Sequence, residues 1–534
     1  MTEPTLGPVM ASERIASVDI VRGFALWGVL LINMMNYGAL DTARWFGPLD
    51  RFAFWAQRFA FEQKSWRLFS FLFGFGFSLL LIRASARGTR FLPMYARRLI
   101  ILLGFGFFSF LFGPDIISVY AVLGFGLLLF HHWSPRWLLL LAALLLLVNP
   151  IYKVVPKVPS GPVKNRAVGS QTVPAIISIP EKELAALAGL YVDPSSARSI
   201  RLYMKDGKLI VAWSGKLSPP VTADHVLSPV SHNRFLTGAR NEVEIVFVQP
   251  SAGGSMRVKT ILRGDTTTLD AVRSETPTSE AARAQNAARP DHSRNWDWAT
   301  ATRSLYAHWR AQVRKYRRHM DPRREGWRGS ETWLLFFTMF LLGLYAGKRR
   351  IFQDYDRHRL LIRRIFFWGL PLGLLAMTSD WIFREFVSGP LPPAVRFSKE
   401  VVWAYGATAL ALSYAAGLVL LVQKPRWKRI LHPLGAMGRM ALTVYLTQSI
   451  IITTLFMRYG FYQDERVGPA GVFGYAAIIY AVQLAICVWW MKRFRFGPAE
   501  WLWRTLTYLR LQPMRLSRSE SVTKYSARGA GLEL

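Results

Sequence analysis

The sequence is poor in cysteine and in acidic residues. Cys487 is the single cysteine among 534 residues, which excludes an intrachain disulfide and a metal site built from several cysteines. Asp and Glu number 33 against 67 Lys and Arg, so the formal net charge is +34. On a soluble protein such a charge would indicate nucleic-acid binding. Here much of it lies in short loops between apolar runs, as in membrane proteins, so we predict no nucleic-acid partner.

Several catalytic and cofactor motifs are also missing. The sequence has no HExxH, no P-loop and no Rossmann fingerprint, and no histidine lies in the middle of an apolar run. We therefore predict no metal and no resident cofactor. The repeated GFGF at 74–77 and 104–107 lacks the Lys-Ser/Thr of a phosphate loop. Glycines on membrane helices more often mark close helix packing, and we favour that interpretation.

Long apolar runs dominate what is present. Hydrophobic residues make up 51% of the chain, and about twenty consecutive apolar residues span a bilayer. The sequence predicts ten transmembrane helices, near 20–36, 67–83, 97–113, 115–131, 136–152, 332–348, 364–380, 400–422, 433–457 and 470–491. The first is expected to be retained, because residues 1–12 lack the features of a cleaved signal peptide. The predicted fold class is an all-α polytopic membrane protein in the lipid bilayer.

Positive charge in the short loops predicts the orientation. Loops 83–98, 348–364 and 423–429 are rich in Lys and Arg, whereas loops 380–400 and 458–469 are poorer. The positive-inside rule then places both termini in the cytoplasm. Loop 37–66, with four basic residues, is a mild exception.

A long insert separates two groups of five apolar runs, and this orientation places it outside the membrane. Alternating runs around the Asp206-Gly207 turn predict a small antiparallel sheet or barrel. A basic aromatic helix near 298–319 either lies on an anionic membrane surface or leads, solvated, into the next span. The predicted parts are a membrane bundle (14–152), a linker (153–183), the β-domain (184–274), a basic linker and helix (275–331), a second bundle (332–491), an interfacial helix (492–511) and a disordered tail (512–534).

Polar residues at the ends of apolar runs are the candidate functional residues. Asp19 and Arg22 begin the first run and lie on one helical face, where they form either part of a site or a charged helix start at the interface. Arg98 and Arg439 fall near the same predicted interface and could bind a phosphate together with Arg22. Arg439 could equally be an anchor to lipid headgroups.

Six blocks of sequence, in order, resemble the YeiB-like family, also called domain of unknown function 418. They are DIVRGFALWGVLLIN, FSFLFGFGFS, YARRL, PDIISVYAVLG, LGAMGRMALTVYLTQSI and FRFGPAEWLWRTLTY. The resemblance implies an inner-membrane protein, sometimes described as a transporter. The insert, with LAGLYV, DGKLIV and LSPVSHNRFL, is similar to a small β-domain appended to some serine-hydrolase-like proteins.

The opening helix is similar to that of membrane acyltransferases, in which an Arg is followed after ten residues by a catalytic His. Here Arg22 is followed at that distance by Asn33, which cannot act as a base at neutral pH. The resemblance implies acyl transfer from an unidentified phosphorylated donor held by Asp19, Arg22, Arg98 and Arg439 to an envelope lipid or glycan. Asn33 and Asp115 are the candidate catalytic residues. A transporter or lipid-handling protein without covalent chemistry, and a scaffold whose outside domain binds a partner, remain the alternatives.

Overall fold

The computed structural model describes most of residues 15–154, 179–274 and 330–516, together with Tyr306, Trp309 and Arg310. Its gaps are 39–46, 89–90, 114, 193–198, 206, 215–224, 238–242, 249–256, 263–264, 387–391, 458–459 and 462–466. Most of the predicted linkers at 153–183 and 275–331, and residues 517–534 of the predicted tail, lie outside the described residues.

The first helical part comprises six helices before the insert. They are α1 (Ala16–Gly38), α2 (Pro48–Ala60), α3 (Lys64–Ala86), α4 (Phe91–Phe112), α5 (Ile117–Phe130) and α6 (Pro135–Val154). The insert opens with a short helix, α7 (Glu181–Leu187). The second helical part comprises α8 (Ser330–Lys348), α9 (Tyr355–Phe386), α10 (Pro393–Val422), α11 (Pro425–Arg439), α12 (Ala441–Phe456), α13 (Pro469–Met491) and α14 (Pro498–Tyr508).

These helices are those of a membrane protein. Among the described residues, six candidate spans are long and apolar enough to cross a bilayer: 16–36, 48–86, 91–112, 355–383, 393–422 and 469–491. The predicted ninth segment, 433–457, is broken at Met440 into α11 and α12, which meet at 78°. The other three predicted segments lie on shorter apolar helices, at 117–130, 135–148 and 332–348. The number of membrane crossings therefore stays a prediction.

Small residues let the two helical parts pack closely against each other. A Cβ added at Gly74 of α3 would overlap the carbonyl of Phe340 in α8, and one added at Gly343 would overlap the carbonyl of Phe71. Gly76, two residues after Gly74, has nothing within 4 Å of such a Cβ. One glycine of the first GFGF thus serves helix packing, as the sequence predicts, whereas the other leaves space open.

The same kind of contact fixes the broken segment on α1. A Cβ at Gly23 would overlap the carbonyl of Leu434, and one at Gly438 would overlap the carbonyl of Asp19. Because the two backbones touch, the end of α11 and its Arg439 are held beside Asp19 and Arg22. Packing of α1 on α11 therefore positions three of the predicted site residues.

The insert forms a nine-stranded antiparallel sheet, as predicted. Its strands are β1 (Gly189–Val192), β2 (Ser199–Lys205), β3 (Lys208–Ser214), β4 (His225–Val226), β5 (Ser228–Ser231), β6 (Arg234–Thr237), β7 (Val243–Val248), β8 (Arg257–Leu262) and β9 (Asp265–Ser274). Their order across the sheet is β4-β3-β2-β1-β9-β8-β7-β6-β5. The two edge strands, β4 and β5, are separated in sequence by Leu227 alone. The sheet therefore curls so that its two edges lie next to each other. Ile179 and Leu184 of the α7 region pack into its core with Tyr191 and Phe235.

Candidate functional site

A cavity of about 340 Å³ lies between α1, α3, α4, α12 and α14. One face of α3 lines it, with Trp66, Phe69, Phe73, Gly76, Leu80 and Arg83 at helical spacing. From Trp66 to Arg83 this face extends about 25 Å, at 1.5 Å per residue. The cavity is therefore long and narrow, and its walls along α3 are mostly aromatic and aliphatic.

Positive charge is concentrated among the lining residues. Six arginines line the cavity against two carboxylates, Asp19 and Glu500; the arginines are Arg22, Arg83, Arg98, Arg439, Arg495 and Arg504. Arg22 forms an ion pair with Asp19 at 2.9 Å, and its Nη1 also lies 3.4 Å from the carbonyl oxygen of Gly438. The structure thus brings the four residues predicted to bind phosphate, Asp19, Arg22, Arg98 and Arg439, to one cavity.

Arg98 is held by Trp503 of α14. Its guanidinium lies 3.6 Å from the centre of the indole ring, close enough for a cation–π interaction. The indole N–H donates a 2.9 Å hydrogen bond to the backbone carbonyl of Arg98. Among the described residues, no carboxylate forms an ion pair with this guanidinium. Arg98 is therefore positioned by an aromatic ring and not by a carboxylate.

Glu500 is a buried lining residue that the sequence analysis missed. Its Oε1 accepts hydrogen bonds from the backbone N–H of Leu442 (2.6 Å) and Thr443 (3.1 Å), and its Oε2 accepts one from the Thr443 hydroxyl (2.6 Å). The carboxylate thus caps the first turn of α12 from another helix. Burial raises the pKa of the Glu500 carboxyl, while the bonds from Thr443 and Leu442 act to lower it. In the sequence GPAEW at 497–501, Glu500 has the position of an acid in the first turn of its own helix, α14. Its role as a cap of α12 could therefore not be predicted from local sequence.

The far part of the cavity lies at the start of α5. Asp115 accepts hydrogen bonds from the backbone N–H of Ile117 (2.9 Å) and Ser118 (2.7 Å), so it caps this helix. Ile116 and Ile117 line the cavity, and the Tyr445 hydroxyl lies 3.4 Å from the Ile116 nitrogen. Asp115 itself is next to, and not among, the lining residues. Asn33 is partly buried on α1 and does not line the cavity.

The arrangement suits an amphiphile with an anionic head. Arginines form bidentate, charge-assisted hydrogen bonds with phosphate oxygens, and aromatic walls accommodate an alkyl chain. Among the described residues, no group of three or more His, Cys, Asp or Glu could hold a metal ion. The excess of arginines over carboxylates among the lining residues is complementary to an anionic group.

One protein-family model matches part of this chain. The family model described as "Protein of unknown function (DUF418)" matches residues 346–510. This segment is therefore similar to the DUF418 family. It contains α9 to α14, and with them Arg439, Glu500 and Trp503. The match confirms the family resemblance predicted from the sequence blocks.

The similarity to curated relatives extends over more of the chain. "Uncharacterized protein YxaH" of Bacillus subtilis (strain 168) is 26% identical, across 96% of this chain and 98% of that protein. "Uncharacterized 39.9 kDa protein in amylase 3'region" of Bacillus acidopullulyticus is 23% identical, across 96% and 99%. "Uncharacterized protein YeiB" of Escherichia coli (strain K12) is 33% identical over 22% of this chain and 33% of YeiB. No solved structure matches the chain.

Proposed function

We propose that this DUF418 protein binds a phosphorylated, single-chain amphiphile in the long cavity, in the manner of a membrane acyltransferase that accepts an acyl donor. The observation that supports this most directly is the distribution of side chains along α3. Arg83 and the neighbouring arginines supply a cationic end, and the face of α3 from Trp66 to Leu80 supplies an apolar path about 21 Å long. A phosphate would pair with Arg98 and Arg439, and the acyl chain would lie along α3.

Acyl transfer would take place at the arginine-lined end of the cavity, where the acyl carbonyl lies next to the phosphorylated leaving group. A hydroxyl of the acceptor, an envelope lipid or glycan, would attack this carbonyl and give up its proton, and the bond to the leaving group, held by Arg98 and Arg439, would break. Asp115 caps α5 beside the end that would hold the acyl chain, and with Asn33 it remains a candidate for positioning the substrates.

A lipid-handling function without covalent chemistry is the second candidate. The 78° break between α11 and α12 next to Arg439 favours it, because transporters often bind substrates at the ends of discontinuous membrane helices. Mass spectrometry of envelope lipids and glycans, with and without the protein, separates the two functions. A newly acylated product supports the transferase, and redistribution of an unmodified lipid supports transport.

Ligand binding itself is tested with two neighbouring arginines. Arg98 lines the cavity, whereas Arg97 lies outside the lining and donates a 3.1 Å hydrogen bond to the Thr507 carbonyl. Native mass spectrometry of the full chain should show that a lysophosphatidic acid binds more tightly than a monoacylglycerol with the same chain. Arg98→Gln should weaken this binding about tenfold, and the matched control Arg97→Gln should leave it unchanged. Equal binding of the neutral lipid, or no effect of Arg98→Gln, would contradict the proposal.

We further propose ten spans in a bacterial inner membrane, with both termini cytoplasmic and the β-domain outside. The Lys and Arg content of loops 83–98, 348–364 and 423–429 supports this orientation. Reporter fusions after Lys205 and after Arg350 should give opposite compartment signals. Identical signals from the two fusions would overturn the orientation.

A further inference from the structure

A second group of buried charges lies near the other end of α3, about 28 Å from Arg83 along the helix. Lys64 and Arg67 are one turn apart, and only 3% and 1% of their surfaces are exposed. The Lys64 ammonium donates one 3.1 Å hydrogen bond, to the carbonyl of Arg58. Arg67 donates from Nη1 to the Ala404 carbonyl (3.0 Å) and the Thr408 hydroxyl (3.2 Å). Its Nε and Nη2 have no hydrogen-bond partner in the described part of the chain.

The neighbouring carboxylates are paired with other cations. Glu62 forms an ion pair with Arg58 at 3.4 Å, and Asp380 forms one with Lys399 at 3.6 Å. Among the described residues, neither Lys64 nor Arg67 has a carboxylate within ion-pair distance. Burying a cation without a carboxylate in contact costs several kcal/mol, so an anion placed against Lys64 would stabilise this part of the fold.

A small, partly open cavity adjoins these cations. Its volume is about 40 Å³, and its walls include Lys64, Asp380, Trp55, Trp381 and Trp403. Since one ordered water needs roughly 10–15 Å³ by this measure, the space suits one small charged group. The Arg67 guanidinium lies 4.9 Å from the centre of the Trp403 ring, on which it stacks behind the cavity wall.

We propose that this cavity is a second anion-binding site, which takes a phosphate or carboxylate group on Lys64. Two of the three N–H donors of Lys64 lack a described acceptor and are available to such a group. Arg67 lies behind the Trp403 ring and does not line the cavity, so its positive charge acts on the anion without direct contact. Glu62 and Asp380 also line the cavity and oppose binding, but their own ion pairs reduce this repulsion. The anion is either a free ion or the head group of an anionic lipid.

The test uses the opposite effects that such a site predicts for Lys64→Gln. Without an anion, the substitution removes an uncompensated buried charge and should raise the thermal unfolding temperature. In saturating sodium phosphate, it removes the ligand contact and should lower that temperature relative to the unsubstituted chain. All variants carry Arg98→Gln to suppress binding in the arginine-lined cavity. Sodium chloride at equal ionic strength is the reference, and Lys348→Gln, at a lysine that donates hydrogen bonds to the His131 and Trp133 carbonyls and lines neither cavity, is the matched control.

Nanodiscs distinguish the two sources of the anion. If phosphatidylglycerol raises the unfolding temperature of the protein with Lys64 relative to pure phosphatidylcholine, and free phosphate does not, the ligand is a lipid head group. If free phosphate raises it and phosphatidylglycerol does not, the ligand is a free ion. Trp403→Phe exposes Arg67 to the cavity and should tighten binding of the effective anion. The proposal is overturned if neither anion stabilises the protein, if Lys64→Gln is equally destabilising with and without anion, or if Trp403→Phe abolishes the response.

Discussion

Trp503 contacts Arg98 twice, through its ring and through its N–H. The ring centre lies 3.6 Å from the guanidinium, and the indole nitrogen lies 2.9 Å from the Arg98 carbonyl oxygen. The first contact orients the side chain and the second fixes the backbone of α4 against α14. The predicted interfacial helix therefore forms one wall of the cavity and sets the position of a cation inside it.

Substitutions of Trp503 should separate these two contacts. Trp503→Phe keeps an aromatic face but loses the N–H, so we expect a small loss of thermal stability and ligand binding close to normal. Trp503→Leu loses both contacts and should weaken lysophosphatidic acid binding several-fold, since cation–π pairs contribute roughly 0.5–2 kcal/mol. Titration with native mass spectrometry measures the effect. Trp501→Leu is the control, because Trp501 bonds to the Gln512 carbonyl and does not line the cavity; equal losses in both Leu variants would contradict a specific role.

Glu500 should stabilise the start of α12. Glu500→Ala leaves the N–H groups of Leu442 and Thr443 without their acceptor, and loss of a helix cap costs about 1–2 kcal/mol. The expected result is a lower unfolding temperature in detergent. A neutral isostere, Glu500→Gln, keeps one acceptor and should restore part of the loss.

The same pair of variants predicts a pH dependence. Burial raises the pKa of Glu500 in the folded protein, so the stabilisation linked to its bound proton is fully present below the unfolded pKa and is lost as pH rises through the folded pKa. The unfolding temperature of the unsubstituted protein should therefore fall relative to that of the Glu500→Gln variant as pH rises from 4 toward neutral. A constant difference would show that the pKa of Glu500 is not raised.

Two glycines of one motif should respond oppositely to the same substitution. Gly74→Ala forces a Cβ onto the Phe340 carbonyl, and such overpacking typically costs 1–3 kcal/mol. Gly76→Ala meets no atom within 4 Å and points toward the cavity, so stability should be unchanged or slightly higher. Unfolding temperatures of the two variants measure this difference. Equal destabilisation would contradict the packing of α3 on α8.

Features encoded in local sequence could be predicted, and those that depend on helix packing could not. Apolar length predicted the long helices but not α2 (Pro48–Ala60), which lies in the predicted loop 37–66, and alternation around Asp206-Gly207 predicted the β-sheet. The 3.0 Å hydrogen bond between Gln448 of α12 and Gln483 of α13 depends on how these two helices pack. The break at Met440 was missed because the apolar pattern runs through it without a strong local signal; Pro433 lies seven residues earlier.

The candidate site also contains both residues that local sequence could predict and residues that only helix packing brings there. Asp19, Arg22, Arg98 and Arg439 stood out because each is a charge near the end of an apolar run. Arg495, Glu500 and Arg504 did not, because they belong to a segment whose amphipathic pattern indicated only an interfacial helix. Their approach to the cavity depends on contacts such as that between Glu500 and Thr443, 57 residues apart in sequence.

Arg439 provides the sharpest test of the arginine-lined cavity. It is the last residue of α11, directly before the break, and it lines the cavity with Arg22 and Arg98. Arg439→Lys keeps the charge but loses the two-pronged geometry that matches a phosphate, so lysophosphatidic acid binding should fall while folded protein persists in the membrane. If Arg439 only anchors the chain to lipid headgroups, Arg439→Lys should be mild and Arg439→Ala should reduce protein abundance. Arg429→Lys, ten residues earlier on α11 and outside the cavity lining, is the matched control. The site assignment fails if Arg439→Ala retains both normal abundance and full ligand binding.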